Sequence, residues 1–524
     1  MKRSKQVFPT GTAASITVLL AAIACVSNAQ AVDFKFSGDV SEALSVNMQN
    51  PPETPQDDKN KLSMARTTVH LNMDANVNEN VSFVTKLRGV KEANLDYLKN
   101  LQKVGANAAD GLKLKDTYGR SSIREAFVDF KYDRMMLRFG KQQVAWGETD
   151  FFQSMDMVHG YDFTWRSFLE PANEELRKPL VMANLTLQVP EVDGKVQLLY
   201  RPGKWNRDDV IGNTYDVFGG RWANQPNKGV DFRTITPYNY RQNGADAQDD
   251  TWGIRWSGSV KEINYSLSYM KTFNSNPVIS PAGNRNFLNA IGVPAFVGTN
   301  STPFAGTTPI GFAGEVIYPK IELYGLTAAG YSAVADAVFS TEISYIKDYA
   351  YNYGYGSGLS IILGPGFDGV KQKNLVKAMI RMDKNLAFTQ SWLGTEKPAF
   401  FSVQLFDTWI KDFHKSENVV QLVGFGQPSK EHSALLTIIF ATSYANGTIG
   451  PELVAGHDVT YGGGFIVPSV AFQYGKDWRF KVEYDYFYND GERNKGNAAT
   501  ERNTALFGYF AHNNQLYLKA TYQF

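Results

Sequence analysis

The last nine residues alternate strictly in character. Leu516, Leu518, Ala520, Tyr522 and Phe524 fall on one parity, and Tyr517, Lys519, Thr521 and Gln523 on the other. Upstream, Phe480, Val482, Tyr484, Tyr486 and Tyr488 alternate with Lys481, Glu483 and Asp485. A period of two sends alternate side chains to opposite faces of a strand, so each segment has one apolar and one polar face. About 10 such residues, rising ~3.3 Å each at a ~45° tilt, cover about 23 Å, close to the ~25 Å apolar band of a membrane barrel.

Composition points the same way. The chain has 524 residues, 13% of them aromatic, with 27 Tyr, 34 Phe and 45 Gly at a mean hydropathy of −0.30. Abundant aromatics and glycine in a modestly polar chain suit a transmembrane β-barrel, which reaches this length as one domain. No uninterrupted apolar run reaches the ~18 residues of a spanning helix. A soluble sandwich would alternate too, but rarely ends on an aromatic. Phe524 closing an amphipathic strand resembles the assembly signal of outer-membrane barrels, which implies recognition by the barrel-assembly machinery.

Residues 1–31 read as a secretory leader. Lys2, Arg3 and Lys5 form a basic start, Ile16 to Val26 an apolar core, and Ala29-Gln30-Ala31 a small-residue cleavage site. Cys25 offers a competing lipoprotein use, but Ala22 rather than Leu stands three residues before it. Cleavage near Ala31 leaves 50 basic against 52 acidic residues, a net charge of −2, and no Cys. That balance gives no electrostatic footprint for nucleic acid, and the missing Cys excludes disulfides and thiolate metal sites. The expected location is the outer membrane of a Gram-negative bacterium, with residues 32–524 as the barrel in contact with outer-membrane lipid and lipopolysaccharide.

Alternation recurs at 69–77, 124–132, 135–140, 181–189, 252–256, 263–269, 318–327, 334–347, 372–393, 399–411, 432–443 and 464–474. Tight turns rich in Asn, Asp or Gly are expected at Asn78–Asn80, Asp133–Arg134, Glu191–Gly194, Val260–Glu262, Asp383–Asn385 and Gly475–Asp477. Long connections lie between them: 49–61, 93–120, 144–178, 203–249, 274–316, 348–371 and 490–511. Short inner turns and long outer loops are the asymmetry of these barrels. The segments 418–426 and 447–457 are weak; the reading spans 16 to 20 strands and settles on 18, an even number that leaves both ends periplasmic.

Parity sends Glu125, Asp129, Lys131, Arg138, Lys481, Glu483 and Asp485 into the lumen. A wet lumen needs polar residues in any case; the sharper expectation is a charge-paired constriction between Arg138 and acids on the neighbouring strand. Loop 274–316 carries only Arg285 and Glu315 as charges, so it is expected to pack over the mouth or into the barrel, as a plug or as an apolar gate.

The stretch Arg138–Leu180 is the richest in side-chain chemistry, with Trp146, Trp165, His159 and dense charge. Pro171 to Lys178 reads as a short helix: Pro in its first turn, Glu174 and Glu175 towards its start, Arg177 and Lys178 at its end, in keeping with the helix dipole. An ordered loop of this kind is expected to narrow the pore or to form a lid. Its candidate residues are Arg138, Trp146, Glu148, Glu174, Glu175, Arg177 and Lys178, with Glu125 and Asp129 as lumen charges.

The run Arg138-Phe139-Gly140-Lys141-Gln142-Gln143-Val144-Ala145-Trp146-Gly147-Glu148, closed by Glu174-Glu175-Leu176-Arg177-Lys178, resembles the signature of the DUF1302 family, a Gram-negative outer-membrane group. Gly160–Phe163 departs from the Asn-Pro-hydrophobic turn frequent in that family. The family's genes often neighbour those of an exported lipid-carrier-like protein and an inner-membrane exporter of the resistance-nodulation-division type. The resemblance therefore implies a role in moving hydrophobic molecules across the envelope, with a periplasmic carrier and that exporter as partners.

The six His (70, 159, 414, 432, 457 and 512) show no metal-ligand spacing, and no G-x-S-x-G, P-loop or H-E-x-x-H motif occurs. The reading is therefore transport rather than catalysis, without cofactor or metal: a channel or transporter for hydrophobic or amphipathic small molecules, as part of an export system. The alternatives are a general diffusion porin and a surface adhesin or structural barrel.

Overall fold

The computed structural model describes residues 32–524 except 51–56, 104–118, 120, 148, 150–151, 164–172, 204–211, 214–240, 243–244, 247–248, 281–314, 357, 359, 364, 421–427, 490–506, 508–509 and 511–512. The expected leader 1–31 and most of the apolar loop 274–316 fall outside the described residues.

Eighteen antiparallel strands form one closed sheet. In chain order they are β1 (Asp33–Asn47), β2 (Leu62–Asn78), β3 (Val81–Glu92), β4 (Ser121–Tyr132), β5 (Met135–Gln142), β6 (Leu180–Val189), β7 (Gly194–Arg201), β8 (Thr251–Val260) and β9 (Ile263–Phe273). They continue as β10 (Lys320–Ser332), β11 (Ala337–Tyr353), β12 (Gly369–Leu386), β13 (Ala399–Ile410), β14 (His432–Ala441), β15 (Ile449–Asp458), β16 (Gly464–Tyr474), β17 (Trp478–Tyr488) and β18 (Gln515–Gln523). Each pairs with the next, and β1 pairs with β18 from Asp39↔Gln523 to Asn47↔Gln515, so no edge remains. The eight connections at the end bearing both termini hold 2 to 12 residues, and those at the other end are mostly far longer. Among the described residues no helix is long and apolar enough to cross a membrane; the crossing is made by strands.

The outward parity is apolar and exposed, as lipid contact requires: Leu71, Leu137, Ile254, Leu267, Leu326, Ile343, Leu405 and Val482 among others. Aromatic rings border this band at both ends. At the long-loop end Trp252, Tyr269, Tyr324 and Tyr345 run side by side, their centroids 5.2, 5.0 and 6.3 Å apart. At the other end Trp478 packs on Tyr522, and Tyr522 on Phe524.

Phe524 continues the seam beyond β18. It exchanges both backbone hydrogen bonds with Gly38, each 3.0 Å. A Cβ on Gly38 would lie 2.9 Å from the Phe524 ring and 2.4 Å from the His70 carbonyl oxygen. Gly38→Val is therefore expected to strain the closing pair. It should lower the temperature at which the folded band converts to the unfolded one in heat-modifiability gels, whereas Ser37→Val, one residue away, should leave it unchanged.

Three boundaries differ from the sequence expectation. The tight turn expected at Asp383–Asn385 is strand: Asp383 pairs with Ser402 and accepts from Arg381 Nε at 2.8 Å, and the chain reverses through the helix Phe388–Trp392. The segment 447–457 falls largely in β15, while of 418–426 only 418–420 lie among the described residues, where Val419 and Val420 make isolated bridges. Strand β11 runs on to Tyr353 through a bulge in which Asp348 takes φ 60°. That extra residue resets the parity, so Tyr349 buries its ring beside Ile346 rather than facing lipid.

Candidate functional site

In the connection between β5 and β6, residues 143–179, the described parts of the two arms are stitched together. Asp162 N–H donates to the Leu176 carbonyl at 2.7 Å, and Lys178 N–H to the Gly160 carbonyl at 2.9 Å. His159, buried, ties the exit of the loop to its return. Its Nε2 accepts from Val144 N–H at 3.0 Å, while Nδ1–H donates to the Lys178 carbonyl at 2.8 Å. Both contacts require the neutral ring. Burial pushes its pKa down to about 4; Asp156 opposes this and Arg177 adds to it.

Asp156 is the hub below that neck. Arg177 donates to Asp156 Oδ2 at 2.6 Å, Tyr161 Oη–H to the same oxygen at 2.6 Å, and Trp146 N–H to Oδ1 at 3.3 Å. The Asp156 and Arg177 side chains are only 6% and 7% exposed, so each charge depends on the other for compensation. Burial, with the neighbouring carboxylate, pushes the Tyr161 phenol well above its ordinary value and keeps it a donor.

The loop does not stand over the mouth; it enters the lumen. Trp146 is 1% exposed, and its Nε1–H donates to Gln197 of β7 at 2.9 Å. Its ring lies on Gly253 of β8, where a Cβ would come within 2.7 Å of it. The bare backbone there admits the indole. Met155 lies against Gly325 of β10, and the Ser154 carbonyl accepts from Ser344 Oγ of β11 at 2.8 Å. Phe152 meets Phe406 of β13 edge-on at 5.9 Å. Phe406 is seven strands from the loop's return at β6 in an 18-stranded closed sheet, so the loop reaches nearly the far wall. Trp146, Met155 and Met157 share one apolar cluster with Met182, Leu199, Met270, Leu323, Ile346 and Leu375 from the inner faces of β6 to β12.

The opposite wall is ionic. The short helix is described over Asn173–Leu176; its expected start at Pro171 lies outside the described residues. Glu175 accepts from Arg88 of β3 at 3.0 Å and sits 3.3 Å from His70 Nε2 of β2, whose Nδ1 faces Asp39 of β1 at 3.2 Å. Burial works against ionisation of Glu175, yet His70 and Arg88 hold its pKa down at about 2. Arg124 of β4 donates to the Glu174 and Arg177 carbonyls at 2.5 and 2.6 Å, and Lys178 Nζ donates to the Gly212 carbonyl. Glu174 itself is exposed and enters this network through its backbone.

The sequence-selected residues thus divide. Trp146, Glu175, Arg177 and Lys178 come together as the loop's fastenings, and Glu148 lies outside the described residues. Arg138 does not join them. It lies four residues down β5 from the loop's root at Gln142, forks onto Asp129 of β4 at 2.8 and 2.9 Å, and covers the Phe127 ring at 3.9 Å. Glu125, the other lumen acid, pairs with Lys86 of β3 at 3.1 Å. With Arg66–Glu92 at 2.9 Å these pairs form a ladder along the inner face of β2 to β5. The sequence reading passed over Asp156, Met155 and Met157; the alternation Met155-Asp156-Met157 beside His159 was the available signal. Among the described residues no group of His, Cys, Asp or Glu is placed to hold a metal ion.

The solved structures that the chain resembles include outer-membrane barrels. Acinetobacter baumannii OccAB1 matches with a TM-score of 0.44 at 10% identity, covering 94% of this chain and 96% of that one. Pseudomonas aeruginosa OpdK gives 0.43 at 8%, covering 94% and 98%, and Salmonella typhi OmpF in complex with daunomycin gives 0.38 at 9%, covering 94% and 97%. Likeness at this level concerns the fold alone. Against curated proteins the sequence finds no match. A family model described as "Protein of unknown function (DUF1302)" matches residues 11–524, nearly the whole chain, and the protein belongs to that family.

Proposed function

We propose that the protein is an outer-membrane channel that passes amphipathic small molecules, with the β5–β6 loop as its constriction. The observation that carries this is the loop's path through the lumen, from β6 to Phe406 on β13. It sets an apolar mass around Trp146, Met155 and Met157 opposite an ionic ladder on β2 to β5. A passage between such walls favours a molecule with one apolar and one polar side. The loop's fastenings, Trp146, Asp156, His159, Glu175, Arg177 and Lys178, position it and carry no reaction. Orientation follows from the short turns beside both termini, which face the periplasm, so the loop enters from outside. In this reading the channel ends an export route fed by a periplasmic carrier and an inner-membrane exporter. A general diffusion porin fits less well, because its lumen stays open to water and ions. Planar-bilayer recording separates the two: small, flickering unitary currents are expected, and large steady ion-conducting steps would refute a selective constriction.

A further inference from the structure

We propose that Lys377 is the point in the lumen that recognises an anionic group on the permeating molecule; this deepens the channel reading above and rests on it. Lys377 lies on β12, paired with Ser344 of β11 on one side and Thr408 of β13 on the other. All three therefore share the inner face, and Ser344 Oγ donates to the loop's Ser154 carbonyl. Lys377 thus stands at the level where the loop narrows the barrel.

Its surroundings set it apart. Leu375 and Met379, its same-face neighbours along β12, are 0% exposed, and the Tyr349 ring centroid lies 5.9 Å from its ammonium. Several cations of the inner wall sit on carboxylates: Arg66 on Glu92, Lys86 on Glu125, Arg138 on Asp129 and Arg381 on Asp383. Among the described residues Lys377 has no such partner; its one polar contact is that ring face. A half-buried ammonium among apolar side chains without a counter-ion is costly to keep, and such departures from a satisfied interior concentrate at functional sites. The Thr408 hydroxyl beside it and the apolar lining around them match a small amphipathic anion: a carboxylate, sulfonate or phosphate head on a hydrophobic body.

The test uses the full-length barrel in detergent, with 2-naphthalenesulfonate and its trimethylammonium counterpart as probes, and titration calorimetry as the readout. Wild type should bind the sulfonate in preference to the cation. Lys377→Gln should weaken sulfonate binding by about tenfold or more, the scale of one charge-assisted contact, and Lys377→Arg should restore it. Equal sulfonate affinity of wild type and Lys377→Gln would overturn the site. So would a parallel loss for both probes, which would report altered packing rather than charge recognition. Flux of the sulfonate into proteoliposomes, measured alongside, keeps the two readings apart. Lys377-dependent binding with no flux would uphold the site and refute the channel.

Discussion

Replacing Arg177 by alanine is expected to release the loop from the lumen and raise the unitary conductance several-fold. The reason is the isolation of Asp156. With Arg177 gone, its carboxylate would remain buried with a phenol and one peptide N–H as partners. Breaking a buried ion pair from one side costs roughly 3–5 kcal/mol, because the surviving charge is left uncompensated. That exceeds what the two antiparallel hydrogen bonds of the neck return, at about 1 kcal/mol each. The barrel should survive, since the pair holds a loop and not a strand, and heat-modifiable migration should be unchanged. The double replacement Arg177→Met with Asp156→Leu removes both charges and should recover a large part of the low conductance. If Arg177→Ala conducts like wild type, the ion pair does not hold the constriction.

Acid should open the same constriction through a different residue. His159 is neutral in the closed loop because Nε2 must accept from Val144 N–H, and its pKa falls from the ordinary 6.5 to about 4. The released loop binds the proton more readily than the closed one. The stabilisation is therefore complete above pH 6.5 and is lost progressively as pH falls towards 4. Full protonation removes about 3 kcal/mol. Glu175, whose pKa the closed loop holds down from 4.5 to about 2, adds to the release only below pH 4.5, so the change between pH 6.5 and 4.5 reports His159. Conductance or protease access to the loop should rise between pH 6.5 and 4 in wild type. His159→Gln, whose amide can both accept from Val144 and donate to Lys178, should give a flat profile. A flat wild-type profile would mean that the imidazole is not part of the latch.

How legible this was depended on the distance a contact had to travel. The Arg138–Asp129 pair was readable because both residues lie on adjacent strands joined by a two-residue turn, so parity and register place them on one face. Asp383–Asn385 misled because the residues that make good turns also serve as polar rungs inside a wet barrel; Asp383 is held in the strand by Arg381 and its cross-strand pairing. The loop's length and chemistry were visible, and so was its closing helix. Its direction was not. Whether Trp146 would cover the mouth or enter the barrel depended on Gly253 of β8 and Gln197 of β7, at least 51 residues away, leaving room and an acceptor on the inner wall.

The sequence by itself determined the barrel and its lipid-facing and lumenal faces, and bounded the strand number to 16–20, because alternation is a local property that one residue's slip would invert along a whole strand. The tertiary structure alone decided that the β5–β6 loop crosses the lumen, that Arg138 is a rung of the wall and not part of that loop's fastening, and that Lys377 meets no carboxylate among the described residues. Those outcomes depend on which side chains from distant strands converge on the same few ångströms, and closure of the sheet sets that convergence, not the order of residues along any one strand.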